Sequence, residues 1–181
     1  LVLRRDGYSK LPKDNRWGTF PGISAGWVLS RENFMESCSN VLSYAKIRAS
    51  YGANGNVSGV LDANGNVVTG LDYYTVQGSY GIMKDKDGKI VPNYNGKVPL
   101  MINDLPNPTM RWEKSYTFET GFDIGFLNNK YILNFTYYNR RTQDKFAEIT
   151  LPSHSGVSSF LSNNGEVQNQ GMELELTANV L

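Results

Sequence analysis

From Ser115 to Phe126 the sequence alternates without a break. Tyr116, Phe118, Thr120, Phe122, Ile124 and Phe126 share one parity, all apolar or aromatic except the threonine. Ser115, Thr117, Glu119, Gly121, Asp123 and Gly125 share the other, with no large apolar side chain among them. A helix would spread both sets around its girth, whereas a strand sends successive side chains to opposite faces. The segment is therefore a β-strand with one greasy and one polar face. Pairing slipped by one residue would put both carboxylates in apolar surroundings. The same parity recurs elsewhere. Tyr131, Leu133, Phe135 and Tyr137 alternate with Ile132, Asn134, Thr136 and Tyr138; Ala45, Ile47, Ala49 and Tyr51 alternate with Lys46, Arg48 and Ser50. Met172, Leu174, Leu176 and Ala178 alternate with Glu173, Glu175 and Thr177, and Ile23, Ala25 and Trp27 with Ser24 and Gly26. Asn128-Asn129 reads as a tight hairpin turn. The fold class is all-β and antiparallel.

Strands near 1–6, 19–30, 42–52, 112–127, 130–145 and 166–180 leave connections of about a dozen, about eleven, nearly sixty, two and about twenty residues. The second is expected to hold a helical turn from Arg31 to Ser37, with Ser30 as its cap. Short turns at one end and long Gly/Asn/Pro-rich loops at the other are the asymmetry of a transmembrane β-barrel. The strands also reach the ~9–11 residues that cross a bilayer at a tilt. Phe20, Tyr51, Trp112, Phe126 and Tyr131, near strand ends, are expected in the aromatic girdles. The alternative is a surface or soluble carbohydrate-binding β module whose apolar face is an ordinary core. Mean hydropathy of −0.41 suits either reading.

Composition removes other classes. Lys+Arg total 18 against 17 Asp+Glu, a net charge of +1, which provides no basic face for nucleic acid. With Cys38 and His154 the single residues of their types, there is no disulfide framework, Cys-rich zinc site or multi-His centre. No apolar run is long enough for a membrane helix. The opening Leu1-Val2-Leu3-Arg4-Arg5 reads as the inside of a strand rather than a signal peptide.

Six stretches, in order, carry a resemblance to one family. Asn15-Arg16-Trp17-Gly18-Thr19-Phe20-Pro21-Gly22-Ile23-Ser24-Ala25-Gly26-Trp27 resembles a segment of SusC/RagA-type TonB-dependent outer-membrane transporters. Lys46-Ile47-Arg48-Ala49-Ser50-Tyr51-Gly52-Ala53-Asn54-Gly55-Asn56 and Asn107-Pro108-Thr109-Met110-Arg111-Trp112-Glu113-Lys114-Ser115 resemble two more. So do Gly121 to Asn129, Tyr137-Tyr138-Asn139-Arg140-Arg141-Thr142 and Asn169-Gln170-Gly171-Met172-Glu173-Leu174. The resemblance implies the C-terminal part of a barrel of about 22 strands, of which some six lie here. It implies a Gram-negative outer-membrane location, with the plug domain and TonB box outside residues 1–181. It also implies nutrient import driven through TonB, a SusD-like surface lipoprotein as partner, and oligosaccharide or else oligopeptide as cargo. Residues 53–110 are then the long extracellular loop region.

Two motifs imitate active sites. Gly22-Ile23-Ser24-Ala25-Gly26 fits G-x-S-x-G, with Asp123 or Asp144 and His154 following in a hydrolase order. That motif needs a strand-to-helix elbow, and here Trp27 continues a strand, so no catalytic residue is assigned and the chain is not read as an enzyme. Asp62-Ala63-Asn64-Gly65-Asn66 opens like an EF-hand loop, but Val67 and Tyr73 stand where glycine and glutamate belong. A looser oxygen-ligated calcium site there is the remaining metal reading, and no other cofactor is expected. His154 is expected to face solvent and Cys38 to be a small packing residue.

The barrel reading assigns two faces. Lys46, Arg48, Glu119, Asp123, Glu173 and Glu175 are expected to face the lumen. Tyr116, Phe118, Phe122, Ile124, Phe126, Leu133, Phe135, Leu174 and Leu176 are expected to face lipid, where a lone charge at the midplane would cost ~2–4 kcal/mol. Tyr73, Tyr74, Tyr80 and Tyr94 in the long loop are the candidate cargo contacts, because exposed aromatic rings stack on sugars and on peptide side chains alike.

Overall fold

The alternating segments become strands of one antiparallel sheet. The computed structural model describes residues 1–38, 40–57, 59–61, 67–71, 73–91, 95 and 97–179. Its large sheet is six-stranded: β1 (Val2–Gly7), β2 (Trp17–Val28), β3 (Leu42–Asn56), β8 (Glu113–Phe126), β9 (Tyr131–Thr150) and β10 (Ser159–Ala178), paired in that order. Each strand of this sheet pairs with its neighbour in the chain, apart from the excursion between β3 and β8. That excursion carries β4 (Val60–Leu61) paired with β5 (Val67–Thr69), a short helix α1 (Tyr73–Gln77), and β6 (Ser79–Ile82) paired with β7 (Leu100–Asp104).

Register carries each parity across the sheet. Trp27, Ile47, Phe122, Phe135 and Leu174 form one lateral row, and Gly26, Arg48, Gly121, Thr136 and Glu173 form the next, on the opposite face. The apolar band runs obliquely to these rows. Leu3 is the last apolar outward residue of β1, and its row ends at Gln168 of β10, whereas the apolar run Met172-Leu174-Leu176 on that face of β10 begins only at Met172. A four-residue stagger (~13 Å) over five inter-strand spacings (~24 Å) tilts the strands roughly 30° from the normal of the band. Membrane barrels tilt their strands ~35–45°. The greasy stripe is thus oblique in the way a tilted barrel wall is, at an angle just short of that range.

Two local expectations are corrected. The connection expected over 146–165 is largely strand, because Phe146 and Leu161 have an apolar cluster to cover and keep β9 and β10 paired out to Thr150 and Ser159. A bulge interrupts them, with Asp144 in left-handed backbone (φ 56). The turn between β8 and β9 takes Leu127, Asn128 and Asn129 successively through positive φ, which asparagine tolerates better than most residues. Residues 29–41 hold two 3₁₀ turns, Leu29–Arg31 and Asn33–Cys38, and Ser30 lies inside the first rather than capping a helix. Tyr73 to Gln77 is a short helix.

The sheet leaves β1 and β10 each paired on one side only. In hydrocarbon an unpaired strand edge costs several kcal/mol for each unsatisfied group. Residues 1–181 expressed alone in detergent should therefore run on gels with the same mobility heated or unheated. A compact, heat-modifiable form would show the piece to be self-sufficient.

Candidate functional site

The apolar face is uncovered. Ile23 and Trp27 are about half exposed, while Met172, Leu174 and Leu176 are 73%, 69% and 69% exposed. Phe122 stacks on Phe135 with ring centroids 5.1 Å apart, in the row they share with Leu174. Phe118 and Leu174 stay exposed rather than meeting in a dry core, as a sandwich would require. Tyr116, Ile124, Phe126 and Leu133 share this face. Within the band, no charged residue of the six strands lies on it among the described residues.

Within the band the charges are on the other face. Lys46, Arg48, Glu119, Asp123, Glu173 and Glu175 lie there together, joined by Tyr138 and Arg140, which the parity of β9 would have placed but which were not singled out. Gly121 is what lets Arg48 work. A Cβ at Gly121 would stand 3.3 Å from the Arg48 guanidinium carbon and 2.3 Å from the Phe135 carbonyl oxygen. With only hydrogen there, Arg48 lies flat across β8. Its Nε donates to Asp123 Oδ1 at 3.5 Å and its Nη2 to Thr136 Oγ1 on β9 at 2.6 Å. Further along, Asn134 Nδ2 donates to Glu175 Oε2 at 3.4 Å and Arg140 Nε to Thr117 Oγ1 at 3.3 Å. Arg48, Glu119, Thr136, Tyr138, Arg140 and Glu173 line a shallow trough of about 610 Å³ on this face. Donors and acceptors of both signs alternate along it. Such a wall can hydrogen-bond hydroxyl and amide groups and gives no preference for one net charge.

At the loop end of the polar face sits a small core: Leu11, Phe20, Leu71, Met110, Trp112, Phe146 and Leu161. Phe20 and Trp112, expected in the girdles, are buried in it at 3% and 7% exposure. Phe20 is on the polar parity of β2, and its ring fills the space that Cβ atoms at Gly18 and Gly55 would need. Tyr51 and Tyr131 do remain exposed on the apolar face.

The segment 107–113 clasps this core residue by residue. Asn107 Nδ2 donates to the Leu161 carbonyl at 2.9 Å, and Met110 is wholly buried. The Arg111 backbone exchanges two 2.9 Å bonds with the Asn163 side chain, and the Arg111 guanidinium meets Asp144 at 2.6 Å, a bond that raises the Arg111 pKa. Trp112 Nε1 donates to the Arg16 carbonyl at 3.1 Å. Buried Glu113 accepts from Asn56 Nδ2 at 2.7 Å and from the Phe146 amide at 2.6 Å. Asn15 closes the circle by donating to the Met110 carbonyl at 3.0 Å. Nothing in the parity of the sequence marks these partners, because the bonds join segments about 30 to 95 residues apart.

The remaining candidates are placed as follows. Tyr74 on α1 and Tyr80 on β6 are exposed, and Tyr73 begins α1. Tyr94 and Asp62 to Asn66 lie outside the described residues. Ser24 sits in mid-strand opposite Ser50, with no elbow to activate it. His154 is exposed, and so is Cys38, which is not the packing residue expected.

A two-faced, tilted, meandering sheet with long loops at one end can now be compared with known proteins. Residues 3–180 match the family described as TonB dependent receptor-like, beta-barrel. The chain belongs to that family. It is 33% identical over 178 residues to TonB-dependent receptor P3 of Formosa agariphila, covering 98% of the chain and 16% of that protein. It is 32% identical over 179 residues to TonB-dependent receptor SusC of Bacteroides thetaiotaomicron, again covering 98% and 16%. The RagAB peptide importer in its open-open state superposes with a TM-score of 0.76 at 25% identity, over 98% of this chain and 17% of that one. The chain thus spans about a sixth of the length of these relatives, and it is a segment of an outer-membrane SusC/RagA-type barrel.

Proposed function

We propose that this segment forms part of the wall and mouth of a barrel that imports nutrients across the outer membrane, with its polar face toward the lumen and its apolar face toward lipid. The observation that carries the reading is the segregation of charge: within the band, every charged strand residue lies on the polar face. The cargo is an oligosaccharide, or else an oligopeptide, whose hydroxyl or amide groups the mixed donors and acceptors of the trough would meet. A SusD-like lipoprotein would cover the loop end, and TonB would act through a part of the protein outside these residues. Both relatives over 30% identical are called TonB-dependent receptors and one solved neighbour a peptide importer. The family's role is carriage rather than catalysis.

The β6–β7 hairpin would offer an exposed part of the loop region to cargo or lid. Tyr80 and Ile82 pair with Ile102 and Leu100 on one exposed apolar face. Gly78 lies against Asp104 and Pro106, so the hairpin's ends meet. Replacing residues 79–104 of the full-length transporter by a short Gly-Ser linker should leave a heat-modifiable barrel and abolish growth on the native nutrient. Unchanged growth would remove the loop from function. Removing the whole of 53–110 is a different experiment, because Leu71 and Met110 belong to the core.

A further inference from the structure

A second groove lies on the opposite face, across the upper edge of the apolar band. Tyr51, Tyr116 and Phe118 line its lower half, and Arg141, Gln143 and Gln168 its upper half, around a volume of about 450 Å³. Tyr116 pairs with Arg141 and Arg141 with Gln168, so the change from ring to charge happens within one lateral row. Basic residues gather here. Lys114 pairs with Gln143 one step above, on the diagonal from Arg141 where long side chains meet. Lys145 follows just past the bulge, on the face opposite buried Phe146. Neither lysine makes an ion pair among the described residues. Arg141 is held through one nitrogen: its Nε donates to Glu166.

An apolar floor continuous with the lipid-facing band, under a rim with surplus positive charge, is complementary to an amphiphile with an anionic head. Guanidinium groups bind phosphate by paired N–H bonds, and lysines add point charge. We infer that this groove seats a phosphorylated lipid of the outer leaflet, its acyl chains against Tyr51 and Phe118 and its phosphate at the Arg141 Nη groups and Lys114. The inference rests on the apolar face being the lipid face. Lipid bound here would staple β3, β8, β9 and β10 together at the level where the strands leave the membrane.

The test uses the full-length transporter in detergent, probed by native mass spectrometry with three additives: a diphosphorylated lipid A, the same lipid with its phosphates removed, and inorganic phosphate. The wild type should retain the phosphorylated lipid roughly tenfold over the dephosphorylated one. The triple variant Lys114→Gln, Arg141→Gln, Lys145→Gln should lose that preference while keeping heat-modifiable mobility. Equal retention of the two lipids, an unchanged preference in the variant, or displacement of the lipid by millimolar inorganic phosphate would each overturn the lipid site. Leu174→Cys in a Cys38→Ser background separates this from the underlying reading. Labelling of Cys at 174 by a membrane-soluble but not a water-soluble maleimide upholds the lipid face, so a missing preference then sinks the site alone. Labelling by the water-soluble reagent in intact membranes sinks both.

Discussion

Leu174→Arg should nearly eliminate folded transporter from the outer membrane, while Glu173→Arg, one residue away, should leave its amount within a factor of about two. Leu174 lies mid-band on the apolar face, in the row of Phe122 and Phe135. A cation there must enter hydrocarbon or drag water with it, at ~2–4 kcal/mol for a site near the midplane. That corresponds to a loss of about 30- to 700-fold in the equilibrium between inserted and unfolded barrel, since each 1.4 kcal/mol is tenfold. Glu173 points to the polar face beside Thr136, where an added cation stays solvated. The comparison is made on the full-length protein, by the heat-modifiable fraction in outer-membrane pellets and by urea titration in lipid vesicles. Equal tolerance of arginine at 173 and 174 would show that the two faces are not divided between lumen and lipid.

Trp112→Ala should cost about 3–5 kcal/mol, the range for removing a buried tryptophan. The ring packs edge-on against Phe20 at 5.5 Å and Tyr8 at 6.3 Å, and its Nε1 bond to the Arg16 carbonyl ties the β1–β2 connection to β8. Trp17, in the other tryptophan-bearing motif, is 60% exposed on the apolar face with the Arg5 guanidinium 5.2 Å above its ring. Trp17→Ala should therefore cost less than about 1 kcal/mol. Denaturant midpoints of the two variants in vesicles measure the difference. Proteolysis gives an independent sign: only Trp112→Ala should open cleavage within residues 8–16 and 57–111, because only that ring pins both segments. Similar midpoints for the two variants would mean that the mouth core does not hold the loops.

The two tryptophans show where reading the sequence stops. Each stands in a motif that resembles the family, and each lies near a strand end. Trp17 precedes the strand expected from residue 19, and the structure extends β2 back to it, on the parity of Ile23 and Trp27. Trp112 precedes β8, so no alternation governs it, and its burial depends on Phe20, Met110 and Leu161 arriving from other segments. Phe20 was misplaced for a related reason. Its polar parity was legible, but the notch formed by Gly18 and Gly55 exists only once β2 and β3 are paired.

What the sequence by itself determined is the division into two faces, the antiparallel meander and the separation of Arg48, Glu119 and Asp123 from Phe118, Phe122 and Leu174. These follow from the backbone's two-residue repeat and from the high cost of charge in hydrocarbon, both of which act locally at every position. What only the tertiary structure decided is the oblique course of the apolar band, the extension of β9 and β10 beyond it, and the clasp from Asn107 to Glu113. These depend on register between strands and on contacts between segments far apart in the chain. Their energies are collected only after the loops have closed, and no local pattern records them.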